Sequence, residues 1–178
     1  MTEGLDAIIA GCRGGDPSAQ RALYDRFHRT VYRLAARING VENAADVSQD
    51  IFLRVFQAIH TFQGRAEFST WLYRVAMNEC LRRRRGRPEP IKRLLNEPAS
   101  SDPEPDHCLE QADLLERALE QLDSSLRAVF LLREVEELSY QEIASVLGIP
   151  AGTVASQLNR ARTQLQAFLR RVEQGDKP

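Results

Sequence analysis

The stretch LSYQEIASVLGIPAGTVASQLNRAR, residues 138–162, decides the fold. Ser139 is followed three residues later by Glu142, a capping box, so a helix starts at Ser139. Ile143, Ala144 and Leu147 recur at helical spacing and face inward, with Ala144 small enough for a second helix to cross closely. Gly148 ends that helix and Ile149-Pro150 makes the turn. A second helix begins near Gly152, with Val154, Leu158, Ala161 and Leu165 inside and Thr153, Ser156, Gln157, Arg160 and Gln164 outside. Helix, Gly-containing turn and second helix with a polar outer face describe a helix-turn-helix that lays its second helix in a DNA major groove. Ser and Gln hydrogen-bond to base edges, and Arg160 suits a guanine or a phosphate. The same pattern also fits an ordinary helical hairpin that only packs.

Working outward, the chain stays helical. Leu109–Leu122 and Leu126 to about Glu136 read as two helices before the motif. In the first half, Asp16-Pro17 signals a helix start, with Asp as cap and Pro at the first helical position. Ala19, Leu23, Phe27, Val31, Leu34 and Ile38 follow at three-to-four spacing, and Gly40 ends the helix. A second helix from about Asn43 carries Val47, Ile51, Val55 and Ile59 on one face. After a loop containing Gly64, Ser69 is placed to cap a third long helix. A weaker helix near Leu5, Ile8, Ile9 and Cys12 precedes these. Between the halves, residues 86–107 hold Pro88, Pro90, Pro98, Pro103 and Pro105, which forbid a long helix. The expectation is an all-α protein: residues 1–86 as one helical domain, 87–108 as a flexible linker with a possible short turn at Ile91–Leu95, and 109–174 as a helix-turn-helix domain.

Composition bounds the function. Of 178 residues, 43% are hydrophobic and 28% charged, the balance of a soluble globular chain. No apolar run approaches the roughly 20 residues of a membrane helix, and the N-terminus does not read as a secretory signal. A cytoplasmic protein without membrane insertion is expected. Cys12, Cys80 and Cys108 fit no CxxC pattern, and His107 beside Cys108 makes a poor metal site, so no metal and no cofactor are expected. No Gly-rich phosphate loop, nucleophile elbow or HExxH-type site occurs, so no catalytic residue is assigned. The net charge of −1 conceals segregation. Residues 82–93 hold seven basic residues against Glu89 alone, and residues 97–123 hold nine acidic residues against Arg117. Such blocks suggest a phosphate-facing surface and a segment repelled by it.

The basic block continues a patterned helix. At 3.6 residues per turn, Trp71, Arg74, Asn78, Arg82 and Arg85 fall within an arc of roughly 80°, while Leu72, Ala76 and Cys80 point to the core. Arginines hold phosphates, the ring stacks on an unpaired base and the amide reads an edge, a combination suited to opened DNA. Trp71 and Tyr73 as core aromatics, and the arginines as a solvated helix end, are the plainer alternatives.

SYQEIASVLGIPAGTV, preceded by LRAVFLLREVEEL, resembles the C-terminal promoter-reading domain of the extracytoplasmic-function (ECF) sigma factors, small specificity subunits of bacterial RNA polymerase. ENAADVSQDIFLRVFQAI, residues 42–59, resembles their polymerase-docking helix, and FQGRAEFSTWLYRVAMNECLRRRR, residues 62–85, their promoter-melting segment. The resemblance covers both domains in the family's order. It implies a subunit that binds core RNA polymerase and recognises and melts promoter DNA, with an anti-sigma factor as a further possible partner. Asp46, Gln49, Asp50, Leu53 and Phe56 would grip the clamp helices of the polymerase's largest subunit. The loop Gln63 to Ser69 would receive an extruded base. Phe68, Trp71, Arg74, Asn78, Arg82, Arg83 and Arg85 would meet the melted strand, and Thr153, Ser156, Gln157, Asn159 and Arg160 the upstream element. The chain departs from the family's usual basic residues at Ala155 and Gln157, from an aromatic residue or histidine at Asn159, and from valine at Ser48. Two missing cations weaken phosphate attraction and reduce salt sensitivity. A free-standing regulator binding duplex operator DNA is the alternative, but it gives no account of the Trp71–Arg85 face.

Overall fold

The architecture is taken from a computed structural model, described for residues 3–85 and 107–174. Asp16 caps the longest N-terminal helix, accepting the Ser18 amide at 2.9 Å, with Pro17 at the first helical position. Helix α1 (Glu3–Arg13) crosses that helix, α2 (Pro17–Asn39), where a Cβ on Gly11 would lie 2.6 Å from Ala19 Cβ. Only glycine permits that approach. Gly40 ends α2 with φ 89 and returns its amide to the Ala36 carbonyl. Helix α3 (Val41–Ala58) then starts two residues earlier than the spacing suggests, and Ile59 falls in a short 3-10 turn. Helix α4 (Phe68–Arg85) begins at Phe68, so Ser69 lies in its first turn rather than capping it. Leu23, Ile38, Ile51, Val55, Leu72 and Met77 close the core of this four-helix half. Each such side chain contributes about 1.5–3 kcal/mol by leaving water.

The second half comprises α5 (His107–Glu120), α6 (Ser124–Glu134), α7 (Tyr140–Leu147) and α8 (Ala151–Glu173). Asp123 caps α6 through the amides of Ser125 and Leu126, which moves that helix two residues ahead of its expected start. The Ser139–Glu142 capping box is formed on both sides, and Gly148 closes α7 at φ 67, as the motif requires. Leu119, Leu122, Leu131, Leu132, Ile143 and Leu158 fill the core. No strand occurs among the described residues. Residues 86–106, including the expected turn at Ile91–Leu95, lie outside them.

The two halves touch. The Tyr73 hydroxyl of α4 donates to the Glu136 carboxylate, and Arg74 donates twice to the Ser145 carbonyl of α7, at 3.0 and 2.7 Å. Arg127 of α6, only 5% exposed, donates to the Arg37 carbonyl of α2 at 3.2 Å. Burial pushes its guanidinium down to about 10, helped by the like charge of Arg84. An arginine inside the apolar run LRAVFLL had no reason to stand out in the sequence; here it ties α6 to α2.

Candidate nucleic-acid and partner interfaces

Helix α4 is positioned by Leu72, Ala76 and Cys80, all buried as their spacing requires. Burial pushes the Cys80 thiol up to about 12, with Glu79 adding to the effect, so this thiol stays protonated and inert. On the opposite side, Trp71 is half-buried and leans on Phe68 and Phe62, ring centres 5.4 and 5.7 Å away. Phe68 itself is 3% exposed and wedged among Phe27, Phe62 and Trp71. This corrects its reading as a DNA-facing side chain: a benzyl group at the base of the aromatic stack gains more from burial than from solvent, and it serves to hold Trp71.

The arginines are engaged within the chain. Arg74 binds the Ser145 carbonyl, Arg82 binds Glu79, Arg83 binds Asp50, and Arg84 donates to the Ile38 carbonyl. Asn78 is exposed; the Arg85 side chain lies outside the described residues. Glu79 organises this end of the helix. Only 4% exposed, it also lies 3.8 Å from the guanidinium groups of both Arg54 and Arg83. A buried carboxylate holds its charge only when paired, and three guanidinium groups supply that pairing. The sequence reading passed over Glu79. Its signal was present, since it stands three and four residues before Arg82 and Arg83.

On α3, Asp46, Gln49 and Leu53 share an exposed stripe, with Leu53 54% exposed. Asp50 borders the stripe but is held by Arg83. Phe56 is half-buried against Phe52. Helix α3 thus presents one unpartnered leucine flanked by an amide and a carboxylate.

On α8, Val154, Leu158 and Ala161 anchor the helix and turn Ser156, Asn159 and Arg160 to solvent. Thr153 and Gln157 are half-buried; the Ser156 hydroxyl donates to the Thr153 carbonyl at 3.0 Å. Arg162 is paired with Glu134. Arg160 lies near enough to Asp123 to act on its carboxyl. Burial raises that carboxyl, but hydrogen bonds from Leu126 and Ser125, with Arg160, bring it below its ordinary value. The outer face is polar, with a single cation over its first three turns.

The family model for sigma-70 region 2 matches residues 23–88, and that for sigma-70 region 4 matches residues 112–165. The RNA polymerase sigma-H factor of Pseudomonas aeruginosa is 34% identical over 178 residues, spanning 91% of this chain and 92% of that protein. This chain is an ECF sigma factor. The ECF RNA polymerase sigma factor SigE of Mycolicibacterium smegmatis is 38% identical over 151 residues, which cover 78% of the chain and 57% of that longer relative. The solved structure of CnrH in complex with the cytosolic domain of CnrY superposes with a TM-score of 0.68 at 26% identity, covering 92% of the chain and 95% of CnrH. Region 2 thus contains α3 and α4, and region 4 contains the helix-turn-helix. Sigma factors are transcription initiation factors rather than enzymes. Among the described residues there is no cluster of His, Cys, Asp and Glu able to hold a metal, and no helix long and apolar enough to cross a membrane.

Proposed function

We propose that this sigma factor docks on bacterial core RNA polymerase through the α3 stripe of Asp46, Gln49 and Leu53, with Asp50 and Phe56 at its border, holds melted promoter DNA on α4, and reads the upstream element with α8. The division of labour is residues 1–86 for docking and melting, and 107–174 for upstream recognition with the segment between as the connecting linker; the linker expected to reach residue 108 ends sooner, because α5 already begins at His107. The protein works without catalytic residues or cofactor, in the cytoplasm, where a protein partner can hold it inactive. The observation that carries the reading is the pairing, on one chain, of an exposed polar recognition helix with a separate aromatic–arginine helix face. A helix-turn-helix regulator needs only the first of these.

On α4, Trp71 offers its ring to an unpaired base, and Arg74, Arg82 and Arg83 exchange their internal acceptors for phosphates as strand and polymerase arrive. Phe68 and Phe62 fix the Trp71 ring from below. On α8, Ser156, Gln157, Asn159 and Arg160 make hydrogen bonds in the major groove, with little help from charge.

Run-off transcription with core polymerase on genomic promoter fragments tests the reading. Promoter-specific transcripts support it. Their absence, together with tight duplex binding by the protein alone, overturns it in favour of a free-standing regulator. Docking is tested at Leu53, because Asp50 already has a partner in Arg83. Leu53→Asp should weaken core binding by at least about 2 kcal/mol, as loss of a central interface anchor does, while the helical circular dichroism stays unchanged. Wild-type binding by this variant would show that the docking face lies elsewhere.

A further inference from the structure

Helix α2 carries five arginines, Arg21, Arg26, Arg29, Arg33 and Arg37, against Asp25 alone, in a chain whose net charge is −1. That concentration serves no helix propensity, since Arg is only one of several good helix formers. Three of the five are accounted for. Arg21 pairs with Asp25, Arg37 lies 3.6 Å from Glu116, and Arg26 sits over the Phe27 ring at 5.9 Å. Arg29 and Arg33 have no acidic or carbonyl partner among the described residues. They flank Tyr32, a residue 41% exposed, and with His28 they line a shallow hollow of about 400 Å³. His28 itself stacks on the exposed Tyr24 ring, centres 5.3 Å apart. A hydrophobic ring left in water between two unpaired guanidinium groups is what a base-stacking platform requires.

We propose that this α2 face, Arg29, Tyr32 and Arg33 with His28, is a second contact surface for the melted promoter strand. An unpaired base stacks on Tyr32 and the neighbouring phosphates bind Arg29 and Arg33. The inference rests on the sigma-factor reading and extends it to a helix that reading leaves unused. The spacing of the two arginines and the electrostatics of the neighbouring helix support it. Arg29 and Arg33 are separated by about 6 Å along the helix axis, close to two stacked nucleotide steps of about 3.4 Å each. Arg33 also lies close enough to the Tyr73 hydroxyl to act on its ionisation, so the α2 face continues onto the Tyr73–Arg74 side of α4. An acidic protein segment would satisfy the arginines but not the ring.

The test uses the full chain with core polymerase and a promoter fragment premelted by mismatches, its displaced strand fluorescently labelled. The double variant Arg29→Ala/Arg33→Ala should assemble with core as wild type does. Its affinity for the premelted promoter should fall about tenfold, and its slope of log affinity against log salt should flatten by about 1.4, two single-strand phosphates at about 0.7 each. Tyr32→Ala should lose roughly 5- to 150-fold, one stacked base, with an unaltered salt slope. All three side chains are outside the core, so circular dichroism should not change. Wild-type affinity and slope in these variants would overturn the inference. So would loss of core assembly, which would make the face a protein-docking surface. If the unaltered protein fails to hold the premelted promoter, the sigma-factor reading of α4 falls instead.

Discussion

On α4, three candidates for DNA contact, Arg74, Arg82 and Arg83, each meet an acceptor inside the chain. On α8, Ser156, Asn159 and Arg160 face solvent, and the recognition surface carries almost no charge. As DNA-binding surfaces, which we propose them to be, the two helices would work by opposite routes. A phosphate binding α4 would have to displace existing acceptors, so the net gain there would be the difference between two charged hydrogen bonds rather than the whole of one. Contacts on α8 would replace mainly water, but with Arg160 as the one cation there they would gain little from counterion release. Strength and availability are thus placed on different helices.

Four changes would break or sharpen that contrast. Trp71→Ala should have the largest effect, removing one stacked base from α4 and up to about 3 kcal/mol from premelted-promoter binding, with upstream duplex binding unchanged in a fluorescence titration. Equal losses on both probes would mean that the ring matters only for packing. Next, Tyr73→Phe deletes the hydroxyl that joins the two halves at Glu136. Because the pair is half-exposed, the change should weaken the contact by about 1.5 kcal/mol, the low end for a hydrogen bond to a charge. Dyes placed at Gln57 and Gln166 should then report a wider separation of the halves; an unchanged transfer efficiency would contradict the role of this bond. Third, Gln157→Arg gives the outer face of α8 a second cation beside Arg160. Upstream duplex affinity should rise by up to about tenfold and the salt slope steepen by about 0.9; an unchanged slope would place residue 157 away from the backbone. The smallest effect is expected from Ser139→Ala, about 1 kcal/mol of stability through loss of the helix cap.

The same cap sets an acid limit. The Ser139 hydroxyl, then its backbone amide, holds the Glu142 carboxyl below its ordinary value. A lowered folded-state pKa means stability fully present above about 4.3, the ordinary glutamate value, and lost as pH falls through the folded value. Acid unfolding followed by circular dichroism should therefore begin at higher pH in Ser139→Ala than in wild type.

Legibility in the sequence followed range. The capping box, the Gly148 turn and the inward positions of α8 were readable because each is decided within a few residues. Leu72, Ala76 and Cys80 were readable because helical period alone separates them from Arg74 and Asn78. Phe68 was misassigned because its surroundings, Phe27 and Phe62, come from elsewhere in the chain. The partners of Arg74 and Arg127 lie 71 and 90 residues away, beyond any local pattern. The arginines of α2 were visible all along, yet they are interleaved with core positions, whereas the run at 82–85 is unbroken.

The bond between Tyr73 and Glu136 and the two from Arg74 to Ser145 have a consequence in populations. If such a joint were favoured by about 2.7 kcal/mol, roughly 1% of molecules would have α4 open at any moment, and the apparent affinity of the proposed single-strand site would drop by the same hundredfold. Whatever held the halves apart, the spacing of the promoter elements or the polymerase surface itself, would then remove that factor without making a single new contact to a base.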